Sequence, residues 1–419
     1  MNTSASTSSV TRALRSPRAR WAVPGVIAVG VAAAMAATPL LASADAVALP
    51  DVTPAELLTA VAESEPTPLS GTVVHTARLG LPEIPMMEMT GADPLALLSG
   101  SSTLRVWSDG AERSRVALLG TTSEYSMVTD GPEAWTYSSA DQEAVHYTLD
   151  AGDLARWESM DPEARAAETF DGELPTPAEA ATAALERVEQ HSTVALDEPT
   201  TVAGRDAYQL AVTPTSDTTL VARIVVAVDA ETSAPLRVQV WSRQDATAPA
   251  LETGFTDVTF AMPDESVFTF STPAGATTSE VVVPLPEAQD APDAPQAAGM
   301  LPAGVTVTGD GWDAVVQVSD VDVEALLAGD PAAVAVLPEA GRSFGSSDAA
   351  QDLVAEFTSE DGSGMPSMPD LDVATLYEQL TTEVAEGRLL SSALLSVLVT
   401  DDGRVLVGAV PAETLRSLA

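Results

Sequence analysis

Two neighbouring runs, LRVWSDGAERSRVALL (residues 104–119) and EYSMVTDGPEAWTYSSADQEAVHYTL (residues 124–149), decide the fold class. Leu104 to Trp107 and Arg113 to Leu118 flank Asp109-Gly110, and Glu124 to Val128 and Ala134 to Tyr137 flank Asp130-Gly131. Ala144 to Leu149 follows. Apolar and polar residues alternate through these runs, so each places one face inward and one outward. Asp-Gly accepts the left-handed backbone of a tight hairpin, so each pair predicts a reversal between adjacent strands. No helix-length segment separates the strands, which excludes βαβ units and predicts an up-and-down antiparallel meander.

The same period extends outward from this core. In Gly71 to Leu79, Val73, His75, Ala77 and Leu79 share one face, while Thr72, Val74, Thr76 and Arg78 share the other. Strands are expected again at Val202 to Val212 (broken by Gly204-Arg205-Asp206), Leu220 to Val228, Pro235 to Trp241, Thr253 to Phe260 and Val267 to Phe270. Two helices interrupt the series. Thr53-Pro54-Ala55-Glu56 supplies an N-cap, a first-turn proline and a capping-box glutamate, and Thr176-Pro177-Ala178-Glu179 repeats the signature for a helix to about Gln190. The expectation is nine or ten strands and two helices between residues 51 and 272.

Beyond them, residues 274–303 are rich in Pro, Ala and acids and read as a linker. A smaller α+β segment is expected at 304–419, with a strand Trp312 to Val318, a helix Val373 to Ala385 and a hairpin around Asp401-Asp402-Gly403. Residues 345–370 read as a loop.

The N-terminus carries the order of an export signal: Arg12, Arg15, Arg18 and Arg20, then apolar Val26 to Ala37, then Ala42-Ser43-Ala44. Cleavage would leave residues 45–419, with a main domain at 45–273. The alternative is an uncleaved membrane anchor over Trp21 to Leu41. Either reading places the chain outside the cytoplasm, secreted or in the cell envelope. Four of the 19 basic residues precede Asp45 and all 61 acids follow Ala44, leaving 15 arginines against 61 carboxylates, a formal −46. That field disfavours nucleic acid and anionic surfaces. There is no cysteine and no lysine, so thiol, disulfide, lipidated-cysteine and Schiff-base chemistry are excluded.

Little else suggests catalysis. His75 and His146 fall within strands and His191 at a helix end, and no nucleophile elbow, zinc helix or phosphate loop is present. The acid pairs Asp320/Asp322, Asp370/Asp372 and Asp401/Asp402 lack the spacing of a calcium loop. The sequence therefore predicts a non-enzyme with no cofactor and no metal. Binding is better supported. Leu79 to Leu98 holds Leu81, Ile84, Met86, Met87, Met89, Leu95, Leu97 and Leu98 in a Pro- and Gly-punctuated connection, too apolar to stand in water. Either it packs on its own sheet as an ordinary insertion, or it caps a site whose methionines adapt to varied apolar partners.

Several motifs in chain order resemble a known superfamily: Thr53-Pro54-Ala55-Glu56, Ser70-Gly71-Thr72-Val73, then Val228-Asp229-x-x-Thr232-x-x-Pro235-Leu236. Phe255-x-x-Val258-x-Phe260 and Val267-Phe268-x-Phe270-x-x-Pro273-x-Gly275 complete the set. They resemble the LolA- and LolB-like lipoprotein carriers and the amino-terminal domain of the sigma-E regulator RseB/MucB, as found in actinobacteria, over about residues 51–275. The resemblance implies an α+β fold with an unclosed half β-barrel covered by helices, holding a lipid or a lipoprotein's acyl chains, with no reaction. It implies as the alternative a regulator that binds a membrane-anchored anti-sigma factor or another envelope protein. The C-terminal segment matches no part of the superfamily with an assigned role. The residues expected to line the ligand site are Val73, Met86, Met87, Met89, Trp107, Trp135, Val225 and Trp241.

Overall fold

A computed structural model describes residues 49–64, 66–81, 92–159, 185, 188–283, 304–323, 325 and 373–419. The export segment, Met86, Met87, Met89, the expected 176–190 helix up to its last turn, residues 284–303 of the linker and the 345–370 loop lie outside the described residues.

The expected N-terminal helix is α1, Pro54–Glu63, and its capping box is complete. Glu56 N–H donates to Thr53 Oγ1 at 3.2 Å, and Thr53 N–H donates to the Glu56 carboxylate at 2.7 Å. Two of the helix's unsatisfied N-terminal donors are thereby paired. A second helix, α2, spans Ala151–Ser159.

Eleven strands follow the meander: β1 Leu69–Ala77, β2 Gly100–Ser108, β3 Arg113–Leu119, β4 Glu124–Asp130, β5 Glu133–Ser138, β6 Glu143–Thr148, β7 Ser192–Val202, β8 Arg205–Pro214, β9 Val221–Asp229, β10 Pro235–Ser242 and β11 Leu251–Thr259. A twelfth, β12, is Thr277–Val282. They form one sheet in the order β12-β6-β5-β4-β3-β2-β1-β11-β10-β9-β8-β7, antiparallel except for the parallel β6–β12 pair. The two edges, β7 and β12, do not pair, so the sheet is open, as expected. It is also curled. Val202 and Ala203, at the end of the edge hairpin, pack with Phe255, Val258 and Phe260 around β11, although three strands lie between β7 and β11.

Three expectations are corrected. Val267 to Phe270 is not a strand: Glu265–Phe268 is a 3-10 turn capped by Asp264, which accepts from Ser266 N–H at 2.9 Å. Its Phe-x-Phe spacing reflects packing, with Phe268 under the Arg113 guanidinium (5.1 Å) and Phe270 stacked on Trp135 (4.9 Å). Ser192 to Thr201 was not expected to be strand, yet it forms most of β7; a bulge between Asp197 and Thr200, around Pro199, breaks the alternation there. Residues 277–282, read as the start of the linker, form β12 against β6.

The C-terminal residues make a second sheet, order β13-β14-β18-β17-β16-β15, from β13 Val305–Thr308, β14 Val315–Val318, β15 Thr382–Val384, β16 Gly387–Ser391, β17 Ser396–Thr400 and β18 Val405–Gly408. The helix expected to reach Ala385 is α3, Val373–Leu380. It stops there because Arg388 donates to Glu378 O and Thr381 O, satisfying carbonyls that a longer helix would use. Helix α4, Ala412–Leu418, seals one face through Leu415 against Leu398, Leu406 and Val315. The two sheets meet through hydrogen bonds at strand ends. Ala409 O accepts from Leu220 N–H (2.7 Å) and Thr219 Oγ1 (2.8 Å), Ala393 O from Ser242 Oγ (2.7 Å), and Leu79 O from Ala393 N–H (2.7 Å).

The turn between β9 and β10 holds the most completely enclosed charge. Asp229, 1% exposed, accepts Arg205 Nε (2.6 Å) and Nη2 (2.8 Å) and Thr232 N–H (2.7 Å). Burial works against ionisation, but the Arg205 and Thr232 hydrogen bonds and the Arg205 charge prevail and hold the carboxyl below its usual range. A folded pKa below the unfolded one adds stability above the unfolded value, which is lost as pH falls through the folded one. Asp229→Ala removes the buried partner of Arg205, leaving it only the exposed Glu231, and should cost about 2 kcal/mol. In urea titrations that deficit should be clear at pH 7 and shrink as pH falls below about 4.

Candidate ligand-binding face

Register decides which side chains share a face. Val73 pairs with Leu104 on one side and Phe255 on the other, and Leu104 continues to Leu118 and Tyr125. His75 starts a parallel row through Thr253, Val238, Val226, Leu210 and Leu196. Both rows lie on the face covered by α1 and by residues 94–98. Helix α1 lays Leu57 on Leu210 and Val228, and a 3-10 turn, Pro94–Leu98, lies over β1 and β2 with Leu97 packed on the core. Val73, Leu104, Leu118 and Phe255 form the dry floor beneath the turn. The next row, Gly71-Val106-Val116-Met127, runs out from under this cover. The row continues through Thr136, Val145 and Ser279, and Met127, midway along it, is 45% exposed.

His75 fixes the cover to the floor. Its side chain is fully buried; Nε2–H donates to Leu97 O at 2.6 Å, and Thr253 Oγ1 donates to Nδ1 at 3.4 Å. The end of the apolar connection is thus tied to the central strand, while Ala92 N–H is held by Ser123 Oγ at 2.7 Å. Burial pushes the imidazole pKa down, opposed by the Leu97 hydrogen bond, so His75 is neutral in the folded chain.

The candidates read from the sequence do not share this face. Val73 sits in its floor. Trp107 and Trp135 lie on the opposite face, in one row with Arg115, Val128 and His146. The segment after β11 covers that row. Trp135 is stacked between His146 (4.0 Å) and Phe270 (4.9 Å), and Trp107 is flanked by Arg105 (5.0 Å) and Arg115 (5.9 Å). Val225 and Trp241 also lie on the opposite face, where Arg223 covers the Trp241 ring at 5.0 Å. Sequence reading passed over Leu104, Val106, Leu118, Tyr125, Met127 and Phe255. The available signal was the alternation of Leu104 and Val106 with Arg105 and Trp107, which separates the faces without saying which is covered.

The histidines are dispersed. His146 stacks on Trp135 with Nε2 3.4 Å from the Glu133 carboxylate, and His191 packs on Gly311 of the second sheet. The Thr253–His75 contact joins a hydroxyl to an imidazole, but both residues are sealed. Asp320, Asp322, Asp401 and Asp402 converge on one open cleft of about 490 Å³. Asp402 is already held below its usual range by Thr400 and Arg404, and among the described residues no group of three or more ligands could hold a metal ion. No described helix is long and apolar enough to cross a membrane.

Because a buried neutral histidine has its pKa lowered, its contribution to stability is present above the unfolded value near 6.5 and is lost as pH falls below it. His75→Gln should flatten the loss of stability between pH 7.5 and pH 5 seen in denaturant titrations of the unaltered chain. It should also speed amide exchange at residues 94–98.

No family model matches the chain, and no curated protein matches its sequence. Among solved structures, Pseudomonas aeruginosa MucB in its complex with MucA aligns at 17% identity and a TM-score of 0.38, over 87% of this chain and 96% of that one. A LolA superfamily protein from Nitrosomonas europaea aligns at 12% identity and a TM-score of 0.20, over 52% of this chain and 99% of that one. A lipoprotein-sorting protein domain from Vibrio parahaemolyticus gives 12% and 0.21, over 51% and 97%.

Proposed function

We propose that this chain is an extracytoplasmic, non-catalytic binding protein that shelters a lipid, or the acyl chains of a lipoprotein, against the covered face of its open sheet. The observation that carries the reading is the continuity of that face. A dry floor of Val73, Leu104, Leu118 and Phe255 passes, without an intervening charge, into the row Val106-Val116-Met127, in which Met127 is open to solvent. An acyl chain laid along this row would bury apolar area at about 25 cal/mol per Å², with no polar group to be satisfied inside. In sequence, residues 82–91 between β1 and the 3-10 turn contain three methionines, a composition suited to chains of varied length.

The second reading is a regulator that binds a membrane-anchored envelope protein. It is favoured by the second sheet, which adds nothing to the floor yet is hydrogen-bonded to Leu79, where the covering connection leaves β1.

The full secreted chain, purified without detergent, should carry extractable lipid at near-stoichiometric occupancy in native mass spectrometry. Met127→Asp should lower that occupancy at least tenfold. Leu119→Asp, on the opposite face of β3 and 37% exposed, should leave it unchanged. Replacing Met86, Met87 and Met89 by Ser should also weaken retention. A clean apo mass after incubation with lipids and acylated peptides would sink the carrier reading and leave the protein-partner one.

A further inference from the structure

Four strand edges are left by the two sheets, and three are blunted. Edge β7 is long, but its bulge between Asp197 and Thr200 carries Pro199 and two acids. Edges β13 and β15 are only four and three residues long. These are the usual devices that stop a sheet from recruiting another chain. Edge β12 has neither bulge nor proline, and it carries a single charge, Glu280. Its sequence, Thr277-Thr-Ser-Glu-Val-Val282, contains no proline, pairs with β6 without a register shift over six residues, and is rich in β-branched side chains.

The direction of its backbone groups follows from the ladder. Thr277 N–H donates to Gln142 O (2.8 Å) and Val283 N–H to Thr148 O (2.7 Å), so odd-numbered residues face β6. The N–H and C=O groups of Thr278, Glu280 and Val282 therefore point away from the sheet, and those three residues are exposed. Among the described residues no strand pairs with this edge. The local charge is one-sided. Strands β4, β5, β6 and β12 carry Glu124, Asp130, Glu133, Glu143 and Glu280 and no arginine, and Asp141 lies in the β5–β6 turn. Crowding is felt there, since burial and the Asp141 charge raise the Glu143 carboxyl pKa.

We propose that the outer edge of β12 is a β-augmentation site for an extended, cationic segment of another polypeptide. Main-chain pairing supplies the affinity, and the carboxylates select lysine or arginine at positions beside Glu280 and apolar residues beside Val281 and Val282. A second copy of this chain is the wrong occupant, because each copy is formally −42 and self-pairing would bring Glu280 against a like edge. The proposal does not depend on the lipid reading, which concerns a different surface.

The test uses the full chain and three blocked hexapeptides: alternating lysine and valine, the same peptide with every amide N-methylated, and alternating glutamate and valine. Fluorescence anisotropy gives affinities, and hydrogen exchange with mass spectrometry gives the location. The lysine peptide should bind and slow exchange in 277–283 at least tenfold. The N-methylated and glutamate peptides should bind at least tenfold more weakly. Glu280→Pro, which removes an outward N–H together with the selecting carboxylate, should weaken the lysine peptide at least tenfold with an unchanged melting temperature. If that variant melts early, the N-methylated peptide on the unaltered chain decides alone. Equal binding of the N-methylated peptide, protection at β7 instead of β12, no protection, or a peptide-free dimer already protected at 277–283 would each overturn the proposal.

Discussion

The large sheet exists because β1 is paired along both edges. Its partner on one side, β2, is the next strand in the chain; on the other it is β11, with Thr253 lying 178 residues beyond His75. Remove the second pairing and the meander becomes two separate ribbons, each with an exposed edge. The join leaves almost no tolerance. A side chain at Gly71 would sit 2.5 Å from Asp257 O and 2.9 Å from the Phe255 ring, so the closest approach of the two halves requires glycine. The bulge in β11 opposite Thr72 and Val73 lets Phe255 and Val258 both face the floor. Covered face, buried histidine and curl all inherit their positions from this seam.

Which parts of this were legible in sequence follows from how local their causes are. The Thr53 capping box involves four consecutive residues, and the Asp-Gly turns involve two, so both could be read directly. Strand β7 was hidden because Asp197, Glu198 and Pro199 look like a loop, while the fold uses them as a bulge on an edge that should not pair. Strand β12 was hidden because an exposed parallel edge has no apolar alternation to display. Which face each candidate occupies was the least legible part. Trp107 and Trp135 stand on the face opposite the Val73 floor, where Trp135 stacks on Phe270 of the chain returning from β11 to β12, and only the cross-strand register reveals this. Val73 lies in the floor, where its alternation and its central strand place it.

Electrostatics are organised by scarcity. With 15 arginines after Ala44 to balance 61 carboxylates, most acids have no arginine to pair with, and several of the described arginines are used more than once. Arg205 closes on Asp229 and Glu231 while lying 4.8 Å over Phe260. Arg223 pairs with Asp197 across the edge and covers Trp241. Arg388 caps α3 and lies over Tyr377. A guanidinium serves both purposes because it is planar and donates from its rim while its face rests on a ring.

That double use also governs how the chain meets a protease. Trypsin-like enzymes cut after lysine or arginine, and without lysine every such bond in this chain follows an arginine. The recognition pocket of such an enzyme needs the guanidinium extended and free. At Arg105, Arg113, Arg115, Arg205, Arg223 and Arg388 it is instead laid across an aromatic ring. Digestion at those bonds must wait for the strand to open, so stacking that holds the sheet together also hides its cleavage points.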